Sequence, residues 1–190
     1  MKYNWQHIEW PNFVFDNEVT KSIELDFALE TAELKGIVDT LPENIQKESV
    51  IQIMIEEAIK TSEIEGEFYS RDDVMSSIKK RLGIHSNLNL IKDKNAKGIA
   101  ELMVEIRNDF DKTLTEDLIK SWHKILFFNS GIINAGEYRQ SAEPMQIVSG
   151  TYGKETVHFE APPSSKISFE MGEFIEWYND FMNIRNLAFG

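Results

Sequence analysis

The stretch Ile51-Gln52-Ile53-Met54-Ile55-Glu56-Glu57-Ala58-Ile59 decides the fold class. Its apolar residues Ile51, Met54, Ile55, Ala58 and Ile59 fall at i, i+3, i+4, i+7 and i+8, one face of an α-helix and no face of a strand. Upstream, Ile23, Phe27, Leu34, Val38 and Leu41 recur at helical intervals from about Glu18, and Pro42 closes that segment. Downstream, Ser70 and Asp73 have capping-box spacing with Asp in place of Glu, Val74 and Ile78 share a face, and Gly83 is a stop. Residues 84–89 read as a loop. From about Leu90, Ile99, Leu102, Met103, Ile106 and Phe110 resume the helical period. Thr115 caps a further helix with Glu116 and Asp117 in its first turn and Leu118, Trp122, Ile125 and Leu126 along its face. A last helix over about 168–182 carries Phe169, Phe174, Trp177 and Phe181.

Two segments break the pattern. Trp5, Trp10, Phe13 and Phe15 around Pro11 have aromatic weight without helical spacing and read as an extended arm pinned onto a helical body. After Asn129 the texture changes: Gly131, Gly136, Gly150, Gly153, Pro144, Pro162 and Pro163 cluster. Met145-Gln146-Ile147-Val148 and Thr156-Val157-His158-Phe159 alternate there, which predicts a hairpin tipped by residues 149–154. The architecture expected is mainly α with one β-hairpin.

Composition narrows the function. In 190 residues, 20 basic against 32 acidic side chains give a net charge of −12, which repels phosphate backbones and anionic lipid and argues against nucleic-acid and membrane partners. The absence of cysteine removes disulfides, thiolate metal sites and cysteine nucleophiles. The N-terminus has no apolar signal core and no apolar run reaches the ~20 residues of a membrane span, so a cytoplasmic location is expected.

Few residues carry chemistry by pattern alone. His7, His85, His123 and His158 stand apart and form no metal-ligand motif, and neither a phosphate-binding glycine loop nor a serine nucleophile elbow is present. The anomaly is Thr61-Ser62-Glu63-Ile64-Glu65-Gly66-Glu67. Counted from Ala58, Ser62 and Glu65 prolong the apolar stripe at i+4 and i+7 with a hydroxyl and a carboxylate. Either Glu65 frays outward at a glycine-terminated helix end, or it faces inward and requires a partner such as an arginine, with Gly66 allowing close backbone approach.

Thr61-x-x-x-Glu65-Gly66 resembles the inhibitory signature Ser/Thr-x-x-x-Glu-Gly/Asn of Fic-family proteins, enzymes that transfer AMP from ATP to hydroxyl side chains of target proteins. In the family's order follow Trp122-His123-Lys124-Ile125-Leu126-Phe127, Ala135-Gly136-Glu137-Tyr138-Arg139, the strand Met145-Gln146-Ile147-Val148, and His158-Phe159-Glu160-Ala161-Pro162-Pro163. These are similar to the segments that lead into, form and leave the Fic flap. Tyr3-Asn4-Trp5-Gln6-His7-Ile8-Glu9-Trp10-Pro11 resembles the opening of the helical domain that often precedes it. The resemblance implies a helical N-terminal domain over 1–88, with an inhibitory helix over about 45–65. It implies the first part of a Fic domain over 89–190, with a flap over about 136–160.

The family's catalytic signature, H-x-F-x-[D/E]-G-N-G-R-x-x-R, lies beyond the helix containing Trp177, and the sequence reaches Gly190 without it. No catalytic residue and no metal ligand is therefore assigned. By resemblance, Glu65 would be the inhibitory glutamate, occupying the arginine that clamps the γ-phosphate. Thr61 would brace the helix end, with Ser62 an alternative, and Gly66 would permit close approach. Met145, Gln146, Ile147 and Val148 would dock the target segment by strand addition. ATP and Mg²⁺ are implied as cofactors of the complete enzyme, and a protein bearing a Ser, Thr or Tyr hydroxyl as its partner. A homo-oligomer is compatible with all of this. The expectation is a regulatory and target-docking part of a Fic adenylyltransferase, inactive as these 190 residues alone. The alternative is a non-catalytic binding or trans-inhibitory helical module.

Overall fold

The computed structural model describes residues 2–10, 17–84, 91–129, 131, 134–151 and 153–189. Among the described residues six α-helices and one two-stranded antiparallel sheet make it mainly α: α1 Asn17–Asp39, α2 Glu43–Ile64, α3 Arg71–Arg81, α4 Lys94–Asp109, α5 Glu116–Leu126, β1 Gln146–Ser149, β2 Thr156–Glu160 and α6 Ile167–Phe189. Pro11, Phe13, Phe15, His85, residues 86–90 and Tyr152 at the hairpin tip lie outside the described residues. The chain divides into two compact units, Met1–Val50 with Met145–Pro162, and Ile51–Pro144 with Pro163–Gly190.

In the second unit the core comes from the stripes that the sequence marks. Ile51, Met54, Ile55 and Ala58 of α2, Val74 and Ile78 of α3, and Ala96, Ile99, Ala100 and Val104 of α4 are buried. The expected capping box at Ser70 does not form, and Ser70 makes no side-chain cap. Asp73 is instead buried, and its two carboxylate oxygens accept from the backbone N–H of Lys92 and of Asp93 at 3.3 Å each. Two N–H groups outcompete the helix's own first turn because they complete an otherwise buried carboxylate. Asp93, held this way, caps α4 by accepting from Asn95 N at 2.8 Å and Ala96 N at 3.4 Å. The helix therefore begins at Lys94. Gly98 then faces the end of α5 so closely that an added Cβ would lie 2.8 Å from the carbonyl oxygen of Leu126.

Thr115 caps α5 as expected, its hydroxyl accepting from Leu118 N at 3.2 Å. Asn179 of α6 clasps the residue before that cap, accepting from Leu114 N and donating to Leu114 O, each at 2.9 Å. Asp109, at the end of α4, is buried, bonded to Lys112 Nζ at 2.6 Å and to the indole Nε1 of Trp122 at 3.3 Å. The Lys112 bond holds its carboxyl below the usual range despite the opposing effect of burial.

In the first unit the N-terminal arm is not extended. Asn4–Gln6 form one 3₁₀ turn, and the arm is pinned to the hairpin: Trp5 Nε1 donates to Glu160 O at 2.6 Å, while the Tyr3 ring meets Phe159 edge-on at 5.5 Å. The hairpin pairs Gln146 with Glu160 and Ile147 with Phe159, then shifts by one residue to pair Val148 with Val157, leaving His158 as a bulge.

Gly98→Ala is expected to destabilise the second unit by about 1–3 kcal/mol, read as a lowered urea midpoint, because the new methyl must displace backbone. Asp109 has a depressed folded pKa, so its contribution is present above the ordinary carboxylate pKa of about 4 and is lost as pH falls through the folded value. Asp109→Asn should accordingly flatten the acid limb of a stability curve measured from pH 7 downward.

Candidate functional site

The end of α2 shows where Thr61, Ser62, Glu65 and Gly66 stand. Gly66 N donates to Glu63 O at 3.1 Å and Glu67 N to Ser62 O at 2.9 Å, the paired bonds of a Schellman stop, with Gly66 at φ 81°. The inward stripe therefore ends at Ser62, which is buried and donates from Oγ to Ala58 O at 2.7 Å. Glu65 is the residue between the last helical turn and the left-handed glycine, and it is exposed. Extrapolating the 3.6-residue period carries it inward, but α2 ends at Ile64, Glu65 N bonds to Ser62 O at 3.1 Å in a tighter last turn, and its side chain is exposed. Thr61 is also exposed, donating from Oγ1 to Glu57 Oε1 at 3.1 Å, so Ser62 rather than Thr61 braces this end.

The electrostatics of this terminus are unusual. No basic residue occupies the last turn of α2. Lys60 is engaged with Glu63 at 2.7 Å, Arg71 with Glu56 and Gln52, and Glu65 forms no ion pair among the described residues. A carboxylate at the negative end of a helix dipole is disfavoured by about 0.3–1 kcal/mol. Glu65 thus presents an uncompensated negative charge on a rigid helix end, a geometry suited to receiving a cation such as a guanidinium.

In the same unit the structure brings together two segments that are distant in sequence. Gly136 N donates to Nδ1 of His123 at 2.8 Å, and Lys120 Nζ lies 4.5 Å from the centroid of the Tyr138 ring. The Tyr138 hydroxyl is buried with no hydrogen-bond partner among the described residues, and burial pushes its pKa up. The sequence motif around Tyr138 carries no sign of a buried phenol, and the ring's contact with Lys120 is between segments distant in sequence. Along α6, Phe174, Trp177 and Phe181 stack at 5.9–6.1 Å and remain 44%, 54% and 49% exposed. Trp122 is half-buried.

The hairpin belongs to the other unit. All four residues of β1 are exposed, so the expected in-and-out alternation is not expressed as burial: Ile147 and Val148 are both open, as is Met145 just before the strand. Among the described residues β1 pairs only with β2, leaving one edge of backbone N–H and C=O groups free. Gln146 bonds to Glu160 at 2.8 Å, and Ser149 Oγ lies 2.6 Å from His158 Nε2. No group of three or more His, Asp or Glu among the described residues could hold a metal ion, and no described helix is long and apolar enough to cross a membrane.

Residues 3–84 match a family model described as a domain of unknown function, DUF4172. The matched segment closes at the end of α3, where Gly83 N bonds to Lys80 O and Ile84 N to Lys79 O in a second Schellman stop. No curated protein matches the chain.

Gly66→Ala forces a Cβ into a left-handed conformation with open space around it. A loss of about 1 kcal/mol in stability is expected, measured by urea denaturation, while Gly66→Asn should retain most of it.

Proposed function

We propose that this chain is the regulatory and target-docking part of a Fic-type protein adenylyltransferase, in which Glu65 holds the complete enzyme inactive. The observation that carries this reading is the exposed, unpaired carboxylate of Glu65 at the negative end of α2, fixed beside Gly66. A charge that the helix dipole disfavours gains from an approaching cation, and an arginine of the catalytic signature is the cation that the resemblance implies. Occupying that arginine would leave bound ATP with its α-phosphate out of line for attack by the target hydroxyl, and phosphoryl chemistry depends on such positioning.

Two further features agree with the reading. The exposed stack of Phe174, Trp177 and Phe181 on α6 and the orphaned hydroxyl of Tyr138 need covering groups, as a Fic core without its catalytic helices would. The free edge of β1 suits a target segment added as a further strand, with Met145, Gln146, Ile147 and Val148 as its docking residues. No group of three or more His, Asp or Glu among the described residues could hold Mg²⁺, and the resemblance implies that the metal and the phosphates of ATP would be held by residues of the catalytic signature.

The test uses two proteins. The 190-residue chain incubated with ATP and Mg²⁺ is expected to gain no adenylyl group by intact mass; robust self-modification would overturn the assignment. Joined to a segment bearing the signature, the chain should show low self-modification that Glu65→Gly raises by about tenfold or more, corresponding to at least 1.4 kcal/mol in the barrier. Equal rates for both forms would refute the inhibitory role.

A further inference from the structure

α1 is the least covered element of the first unit. Among the described residues of that unit no helix or strand packs along it, and Val19, Ile23, Phe27, Leu34 and Ile37 are 55–66% exposed. Thr20, Phe27 and Leu34 fall at a positions and Ile23, Glu30 and Ile37 at d positions of one unbroken heptad register, so Ile23, Phe27, Leu34 and Ile37 line one seam, with Val19 on its g flank and Leu25 and Leu29 off it. A seam of this period is built for a second helix lying alongside.

The charges around it select the kind of helix. Glu30 stands in the seam, and Glu24, Asp26 and Glu33 occupy its e and g flanks. The two lysines of α1 lie away from the seam and are already engaged, Lys21 with Glu18 and Lys35 with Asp39 at 2.7 Å. A second copy of α1 would set Glu30 against Glu30 and line both edges with carboxylates, with no cation to offset them. An anionic lipid surface would meet the same repulsion. Val19, Ile23, Phe27, Leu34 and Ile37 leave roughly 600 Å² open, so an occupant of matching length would bury about 1,200 Å² in total, the lower edge of specific interfaces.

We propose that the α1 seam is a docking surface for a basic amphipathic helix, with apolar a and d residues against Ile23, Phe27, Leu34 and Ile37 and Lys or Arg facing Glu24, Asp26, Glu30 and Glu33. Leu25 and Leu29, exposed on the opposite side of α1, take no part in it. This surface is independent of Glu65 and of any nucleotide chemistry.

The probe is a labelled synthetic helix of about four heptads, with Leu at a and d and Lys at e and g, beside an otherwise identical peptide with Glu in place of Lys. Fluorescence anisotropy with the full chain should show binding of the Lys peptide about tenfold or more tighter than of the Glu peptide. Phe27→Asp and Leu34→Asp should each weaken the Lys peptide about tenfold, Leu29→Asp should leave it unchanged, and Glu30→Lys should move the preference toward the Glu peptide. Equal binding of the two peptides, or seam variants indistinguishable from Leu29→Asp, would overturn the proposal. So would sedimentation showing that the chain alone dimerises through a contact broken by Leu34→Asp, which would make the occupant a second copy.

Discussion

The second unit is organised by one buried carboxylate. Asp73 takes the backbone N–H groups of Lys92 and Asp93, and by doing so fixes the residue from which α4 must start. From that start the period of α4 places Ala96, Ile99, Ala100 and Val104 in the core and Gly98 against Leu126 O at the end of α5. The chain from α5 carries His123 to Gly136 and Lys120 to Tyr138. An unpaired carboxylate at that depth would cost several kcal/mol, so the burial of Asp73 and the start of α4 are energetically coupled.

The helices were legible because their signal is local. Helical spacing over three or four turns and a capping hydroxyl such as Thr115 require only near neighbours in sequence, and the structure realises them within a few residues. What was not legible depends on partners far along the chain. Asp73 has the spacing of a capping residue, yet its partners lie 19 and 20 residues downstream. Trp5 has aromatic weight in sequence, but its pairing with Glu160 spans 155 residues, and nothing near Trp5 announces a strand. Apolar residues of α1 recur at helical intervals, yet among the described residues of their unit no helix or strand packs along them, which periodicity does not report.

At the end of α2 the sequence marks Thr61, Ser62, Glu65 and Gly66 but not the direction of their side chains. The stripe through Ile51, Met54, Ile55, Ala58 and Ser62 is continuous and buried, and one further turn would have turned Glu65 inward. Gly66 removes that turn. A left-handed residue costs glycine little and costs any side-chain-bearing residue about 1–2 kcal/mol, so the helix ends readily at Gly66, with Glu65 exposed just before it.

That choice has an electrostatic consequence shared by α1 and α2. In a chain of net charge −12, ordinary surface carboxylates are dispersed and solvated, and each adds little. Glu65 and Glu30 are exposed too and differ in setting: one stands at the negative pole of a helix, the other between the apolar residues of one face of α1. In both places the local structure is complete without the acid, and Ala would satisfy helix propensity better at either position. Neither carboxylate therefore stabilises its own helix, and each leaves a negative charge open to a cation.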